Sequence, residues 1–440
     1  MAYHDALAFL LGMRRFGLRP GLDTTLELAA SVGNPHRSLR FVHVAGTNGK
    51  GSTCAFLESI LRQAGLKVGL YTSPHLVSFR ERIQVQRVPI PEAEVARLVD
   101  GLRTGLPDAN AESHPTFFEF VTVLALQWFE EQKCDVVVWE TGLGGRLDAT
   151  NIVQPEASVI TNIGWDHMQW LGPTLPDIAR EKAGIIKSGL PVLTATDVPE
   201  ALEVIRETAR RFSSPLQVVD QQSIQDLGVD RVALPLAGAH QRLNAALAAA
   251  SAQTVLPQLL LSAKARSFAP SSVAGAIDEA TVIRTGLETT EWDGRFQRFE
   301  REGRTVIVDG AHNRPALECL AAAIREWGRG RRPALVLGML ADKDLESAPE
   351  LLGPWVDRVM VVPVDSTRGS DPVSVANCWK ARFPERNIEV AGGLVDAMGR
   401  LKDEPTVLVT GSLYLVGECL SWLRGESNSE RALNEWSQRR

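Results

Sequence analysis

The stretch Phe41 to Ala64, FVHVAGTNGKGSTCAFLESILRQA, constrains this chain more than any other. Phe41 to Ala45 is a short, apolar, β-prone run of the kind that forms a buried strand. Gly46, Gly49 and Gly51 follow, with Thr47, Asn48 and Lys50 among them, and then Ser52 and Thr53. From Ser52 an apolar pattern at helical spacing runs through Ala55, Phe56, Leu57, Ile60 and Leu61 to Ala64, where Gly65 stops it. Strand, glycine loop, lysine, hydroxyl and helix, in that order, form a phosphate cradle. Glycines let backbone N–H groups face the anion, the helix N-terminus adds partial positive charge, and the lysine reaches the outer phosphates. The Ser52 hydroxyl then suits a Mg²⁺ ion. The spelling departs from the usual P-loop: Val44 stands where that pattern has its first glycine, and Gly51 separates Lys50 from Ser52. A plain glycine-rich strand-to-helix turn is the competing reading; lysine and serine at the helix start weigh against it.

A chain of 440 residues is too long for one core, so two domains are expected. Hydrophobic residues at 44% and charged residues at 23% are ordinary for a globular protein. A formal charge of −6 and the lack of like-charge blocks argue against nucleic-acid binding. Cys54, Cys134, Cys319, Cys378 and Cys419 are scattered and never spaced C-x-x-C. This excludes a disulfide framework or zinc ribbon and fits a reducing cytoplasm. Cys54, beside the glycine loop, reads as a buried filler before a reactive thiol. No signal pattern opens the chain, and the apolar stretch Ala245 to Ala263, interrupted by Ser251, Gln253, Pro257 and Gln258, reads as a buried helix and its exit, not a membrane span.

Residues 1–40 read as one or two helices. Lys67 to Tyr71 is a second strand, Thr72-Ser73-Pro74-His75-Leu76 a loop, and Ile83 to Val88 alternates as a strand does. A βαβ order with a phosphate loop at its first turn implies a parallel sheet with helices on both faces. Glu92 to Leu102 and Phe117 to Gln132 are helices, and Phe118 reads as core. Asp135 to Trp139 is the clearest buried strand and ends on Glu140, where open α/β sheets bind ligands. Glu140 is therefore the Mg²⁺ candidate in the Walker-B role, and Asp148 a capping carboxylate. Ser158 to Thr161 is the next strand and leads to His167; a lone histidine is usually structural, but this one lies at the strand-end level of Glu140. Glu181 and Lys182 read as a solvated helix face, and Asn244 as a first-turn helix residue. Ile283 to Gly294 has no clear period and reads as the domain boundary. A second α/β unit follows, with strands at Thr305–Val308, Ala334–Leu337, Val359–Val362 and Thr406–Thr410 and a helix at Pro315–Trp327. After Gly425 the chain is polar and reads as a frayed tail.

The spelling G-T-N-G-K-G-S at Gly46–Ser52 resembles that of the Mur-ligase family of ATP-dependent amide-forming enzymes, and VAGTNGKGST as a whole resembles its folate branch. GLDTTLELAASVGNP, TSPHL with RERI, TFFEFVT, ETGLGGRLDATN, GWDH, EKAGIIK, GAHQRLNA, WDGR, DGAHN, GMLADKD and GSLYLVGE are similar to further family segments, in family order. Arg314 stands before Pro315 where the family continues D-G-A-H-N directly into proline, which leaves the local helix start open. The resemblance implies an α/β fold with an N-terminal P-loop-type parallel-sheet ATPase domain at 1–288, a linker at 289–296 and a smaller C-terminal Rossmann-like domain at 297–440.

It also implies an activity. ATP converts a folate or dihydropteroate carboxylate to an acyl phosphate, and the amine of L-glutamate displaces phosphate. On this resemblance Gly46, Thr47, Asn48, Gly49, Lys50, Gly51, Ser52, Asn244, Arg295 and Asp309 take the nucleotide, with His312 at its γ-phosphate. Ser52 and Glu140 hold one Mg²⁺, while His167 and a carbamylated Lys182 serve a second. Ser73, Pro74, His75, Arg82 and Phe118 form the folate side. Lys50, Lys182, His167 and His312 are the expected catalytic set. The expected partners are these small molecules, with no nucleic acid and no membrane, for a cytoplasmic monomer. A Mur-type peptidoglycan ligase is the alternative within the class; the TSPHL and RERI wording favours folate. A nucleotide-dependent regulatory protein is the alternative outside it. The absence of N-K-x-D and the presence of a second α/β unit count against that.

Overall fold

A computed structural model describes residues 1–14, 21–109, 111, 113–266, 278–328, 330–426 and 430. The chain forms two compact units. The first comprises Met1–Pro74, Arg80–Pro235 and Gln241–Glu291; the second comprises His75–Phe79, Leu236–His240 and Trp292–Arg440. The main division lies between Glu291 and Trp292, and two short segments, one of them carrying His75, belong to the second unit.

The first unit is built on β1 (Phe41–Ala45), β2 (Val68–Tyr71), β3 (Ile83–Val85), β4 (Val88–Pro89), β5 (Val136–Glu140), β6 (Ala157–Ile160), β7 (Val192–Thr194) and β8 (Leu216–Val218). They form one sheet in the order β4-β3-β2-β5-β1-β6-β7-β8, parallel except at β3 and β4. β1 is buried along its whole length and lies between β5 and β6. This is where an apolar run without alternation belongs. On one face Trp139 stacks on Tyr71 at 4.3 Å between ring centroids and meets Phe41 and Phe129 edge-on. Gly69 admits this layer, because a Cβ there would lie 2.8 Å from the Phe129 ring. Beyond β6, Ile160, Ile178, Ala179, Ile186, Val192, Ala201 and Ile205 make a second cluster around the helices Leu175–Ala183 and Pro199–Arg211.

Three local expectations need correction. Ile83 to Val88 is not one strand but a hairpin: Gln86 and Arg87 take φ of +53° and +66°, a left-handed pair that turns β3 back as β4. The stretch Ala245 to Ala263 holds no exit: it is helix throughout, within Ala239–Arg266, with Pro257 in its interior. Ala245 to Ala250, Val255, Leu256 and Leu259 are buried on both sides of it, and that packing offsets the ~3 kcal/mol that an interior proline costs. The supposed boundary at Ile283 begins inside the helix Glu279–Glu288, whose Gly286 presses on the helix Lys50–Gln63: a Cβ would lie 2.5 Å from Ile60 Cα.

The second unit holds β9 (Gln297–Arg301), β10 (Arg304–Val308), β11 (Ala334–Leu337), β12 (Arg358–Val361), β13 (Asn387–Val390) and β14 (Thr406–Thr410), ordered β13-β12-β11-β14-β10-β9. Only β9 runs antiparallel. One face packs Ile307, Leu335, Leu337, Val359 and Leu408 against Leu317, Leu320 and Trp379. The other packs Val306, Val336, Met360 and Val407 against Leu394, Met398, Val416 and Leu420. The helix after DGAHN begins at Arg314, and Asn313 Oδ1 accepts from Ala316 N at 3.0 Å, so the local start is an ordinary asparagine cap.

Candidate active site

The glycine loop leaves β1 at the C-terminal edge of the sheet and is stitched to the end of β6. Thr47 N donates to Asn162 O at 2.9 Å, Asn48 N to Asn162 Oδ1 at 2.8 Å, and Thr161 Oγ1 to Asn48 O at 2.6 Å. Thr47 Oγ1 also accepts from Gly164 N at 3.0 Å. Two glycines are obligatory here. A Cβ on Gly46 would lie 1.8 Å from Thr161 Oγ1, and one on Gly49, at φ +81°, 2.5 Å from Asn244 Oδ1. The helix then starts at Lys50 with its first N–H groups turned toward the loop.

Two lysines converge on this loop. Lys50 Nζ donates to Gly46 O at 3.1 Å and Thr47 O at 3.2 Å, and the buried Lys182 Nζ donates to the same Gly46 O at 2.8 Å. Lys182 is thus not on a solvated helix face. Burial first, and the neighbouring Lys50 charge second, push its amine down to about 7, against the pull of Asp166 and Asp148. Ser52 is buried, and its Oγ accepts from Gln241 Nε2 at 3.3 Å, while Gln241 Oε1 accepts from Asn244 Nδ2 at 3.0 Å. Gln241 therefore links the expected metal hydroxyl to the expected nucleotide asparagine, a role that its place at the start of an alanine-rich helix did not announce.

Glu140 ends β5, buried, in register with Val44 of β1, and its Oε2 accepts from Ser73 N at 3.0 Å. Cys54 feels both Glu140 and Lys50, but burial dominates and holds its thiol well above the usual range, so it is an inert filler. The loop after Glu140 is shaped by Asp148, whose Oδ2 accepts from Gly142 N and Leu143 N at 3.0 and 2.8 Å and whose Oδ1 accepts from Thr150 N at 3.0 Å. Behind Thr150, His43 Nε2 lies 2.9 Å from its Oγ1; burial keeps this histidine neutral, down at about 3. The ring of Phe118 is half-buried over Gly142, where a Cβ would be 2.5 Å from it, and tilts on Tyr71 at 6.1 Å. Arg82 is buried with its guanidinium 5.5 Å from the centroid of Phe117. His167 stands in a left-handed conformation, φ +50°, with its Nε2 3.9 Å from Asp166 Oδ1. Among the described residues no three His, Cys, Asp or Glu side chains gather as a metal cage. The oxygen donors Ser52 and Glu140 instead fit Mg²⁺, which keeps one or two protein ligands and completes its shell with phosphates and water.

The remaining expected residues form a cluster of their own in the second unit. Asp309 Oδ2 accepts from Phe296 N and its Oδ1 from Ala311 N, both at 2.9 Å; burial raises this carboxyl and Arg295 lowers it. Arg295 NH1 donates to Gly294 O at 3.0 Å, and a Cβ on Gly310 would lie 2.6 Å from that nitrogen. His312 Nδ1 donates to Gly310 O at 2.8 Å, which puts the ring proton on Nδ1. His240, passed over in the sequence, is held at about 4 by burial and by Arg295. His75 is buried, with its Nε2 3.2 Å from Glu430 O. The expected folate set therefore divides, with Ser73, Pro74, Arg82 and Phe118 on the first unit and His75 on the second.

Known proteins share this layout. Residues 44–252 match the Mur ligase middle domain, and residues 294–413 match the Mur ligase glutamate ligase domain. The chain is 36% identical over 440 residues to the dihydrofolate synthase/folylpolyglutamate synthase of Bacillus subtilis, covering 95% of this chain and 98% of the relative. It is 34% identical to the Escherichia coli protein of the same name, covering 94% of each. Among solved structures, Mycobacterium tuberculosis folylpolyglutamate synthase complexed with ADP superposes with a TM-score of 0.82 at 28% identity, over 97% of this chain and 100% of that one. E. coli FolC in complex with DHPP and ADP gives 0.78 at 30% identity, over 97% and 98%. Sequence, fold and loop chemistry agree that the chain belongs to the Mur ligase family, in its folylpolyglutamate synthase/dihydrofolate synthase branch.

Proposed function

We propose that this chain is an ATP-dependent ligase that joins L-glutamate to a folate carboxylate and to dihydropteroate. The observation that carries the reading is the loop Gly46–Ser52 with Lys50 at its helix start and the Glu140 carboxylate one strand away. A carboxylate is a poor electrophile. Attack of its oxygen on the γ-phosphorus of ATP breaks the bond to the β-phosphate oxygen and yields acyl phosphate and ADP. The glutamate amine then adds to the acyl carbon, loses a proton, and expels phosphate as the amide forms. Lys50 and the loop N–H groups neutralise the transferring oxygens, and Asn244 holds the nucleotide. Arg295, Asp309 and His312 are assigned to the nucleotide and its γ-phosphate. Mg²⁺, when bound, supplies charge neutralisation at the phosphates; Ser52 and Glu140 are its proposed ligands, with His167 and Lys182 at a second site.

The amine of Lys182, poised at about 7, supports carbamylation. At neutral pH much of it carries a free lone pair, which adds to CO₂ with loss of a proton and leaves a carboxylate-like anion. Ser73, Pro74, His75, Arg82 and Phe118 are assigned to the pterin side. The same reading takes the protein as a cytoplasmic monomer acting on small molecules.

Trapping the intermediate tests the reaction. ATP with dihydropteroate or a folate, without glutamate, is expected to give slow ADP release and a hydroxamate when hydroxylamine is added; glutamate is expected to raise turnover sharply. Fast ATP hydrolysis without any pterin, or a strict preference for a UDP-muramoyl peptide, overturns it.

A further inference from the structure

The helix that starts in the phosphate loop carries a carboxylate that nothing so far has used. Glu58, two turns into Lys50–Gln63, is fully buried. Its Oε1 accepts from Arg62 Nε at 3.0 Å, while its Oε2 makes no hydrogen bond among the described residues and lies 3.9 Å from Arg87 Nε. Burial raises the Glu58 carboxyl despite both arginines. Such a group is a poor way to gain stability: an apolar side chain of similar volume usually serves as well or better. Its geometry is more informative.

Arg87 sits at the left-handed tip of the β3–β4 hairpin, and its NH2 donates to Glu291 O at 2.6 Å. Glu291 is the last residue of the first unit; the chain continues at Trp292 into the second. Around this link the same helix meets the same exit segment through three further side chains. Ile60 receives Gly286 in close contact, and Ser59 Oγ and Gln63 Nε2 each lie 3.4 Å from Thr289 Oγ1. A rigid helix therefore joins two places, the phosphate loop at one end and the exit peptide 286–291 at the other.

We propose that Glu58 and Arg87 are positioning residues that tie the exit peptide at Glu291 to the phosphate-loop helix, so that nucleotide at the loop alters the mobility of that peptide and sets turnover without setting nucleotide affinity. The turnover half of the proposal rests on the ligase reading; the mobility half does not. The guanidinium is suited to the task because one planar group faces a carboxylate and a carbonyl together, which a compact ammonium without that fork does less well.

The test uses the full chain as Glu58→Gln, Arg87→Gln, the double variant and Arg87→Lys. The first readout is amide hydrogen exchange of residues 286–291 with and without saturating ADP. The wild type is expected to slow on ADP and the single variants to lose that response, with ADP affinity within twofold of wild type. Pterin- and glutamate-dependent kcat is expected to fall about tenfold in each single variant, as for a small misplacement remote from the chemistry. Because the two groups act on one peptide, the double variant is expected to be no slower than the slower single, and Arg87→Lys to recover only part of the loss. Thermal midpoints separate positioning from folding: a loss that tracks the folded fraction, additive single effects, or an ADP response that survives Arg87→Gln each overturns the proposal. Arg87 lies in a turn and keeps the test available if Glu58→Gln does not fold. A wild type that answers ADP at 286–291 but shows no pterin-dependent turnover sinks the ligase reading and leaves the exchange result to decide the coupling.

Discussion

Lys50 and Lys182 share one carbonyl, Gly46 O, and this shared contact separates their roles. Lys50 stands at the mouth of the loop. Lys50→Ala is expected to lower kcat by about 10²–10³-fold, the loss typical of one preorganised donor, with far-UV circular dichroism unchanged; near-normal ADP release removes the loop from the ATP site. Lys182 is the buried member, and its folded-state amine is lowered from 10.5 to about 7. Between those values the unfolded chain binds a proton that the folded chain does not, so stability rises with pH across this window and the full penalty stands below 7. In CO₂-free buffer the wild-type thermal midpoint is therefore expected to climb from pH 7 toward pH 10 relative to Lys182→Gln. Parallel profiles refute the burial argument. Neither lysine's contacts were legible in the sequence. E-K-A-G reads as an exposed helix face until the 141–148 loop, with Gly145 2.9 Å from the carbonyls of Glu181 and Lys182 for any added Cβ, is laid over it.

At the scale of elements, strong patterns reported themselves and weak ones hid. β1, β5, β10, β11 and β14 are central or next to central, and their mainly apolar runs read directly as buried strands. β9 escaped because an edge strand is free to carry Gln297, Arg298, Glu300 and Arg301, β13 because Asn387 and Glu389 interrupt its apolar residues, and β7 and β8 because three residues are too few to show a period. The helix Glu279–Glu288 escaped for another reason. Gly286 lowers its helix propensity, and only its contact with Ile60 shows why glycine stands there. Gly286→Leu is expected to destabilise the protein by about 1–3 kcal/mol, as forced overpacking does, measured as a shift in the urea midpoint at constant slope. An unchanged midpoint means that the two helices separate freely.

At the scale of the whole molecule, the residues proposed for the site are distributed over two units. The phosphate loop, Glu140, Lys182 and Asn244 lie on one; Arg295, Asp309 and His312 lie on the other. On the assignment proposed above, Arg295→Ala is expected to reduce kcat at least tenfold while changing nucleotide affinity less than threefold, because a guanidinium that answers developing phosphoryl charge acts chiefly in the transition state. Equal losses in binding and turnover make Arg295 a ground-state contact instead. The amino-acid sequence alone determined the class, the order of the central strands, the phosphate loop and the strand-end carboxylate, since each is a local pattern in which neighbouring residues carry the signal. It also carried the family resemblance, because motif wording survives in the chain itself. Only tertiary structure decided which residues meet. Lys182 reaches Gly46 across 136 positions, Gln241 reaches Ser52 across 189, and Arg87 reaches Glu291 across 204. Those pairings depend on strand order and on the space left by single glycines, which no local pattern records.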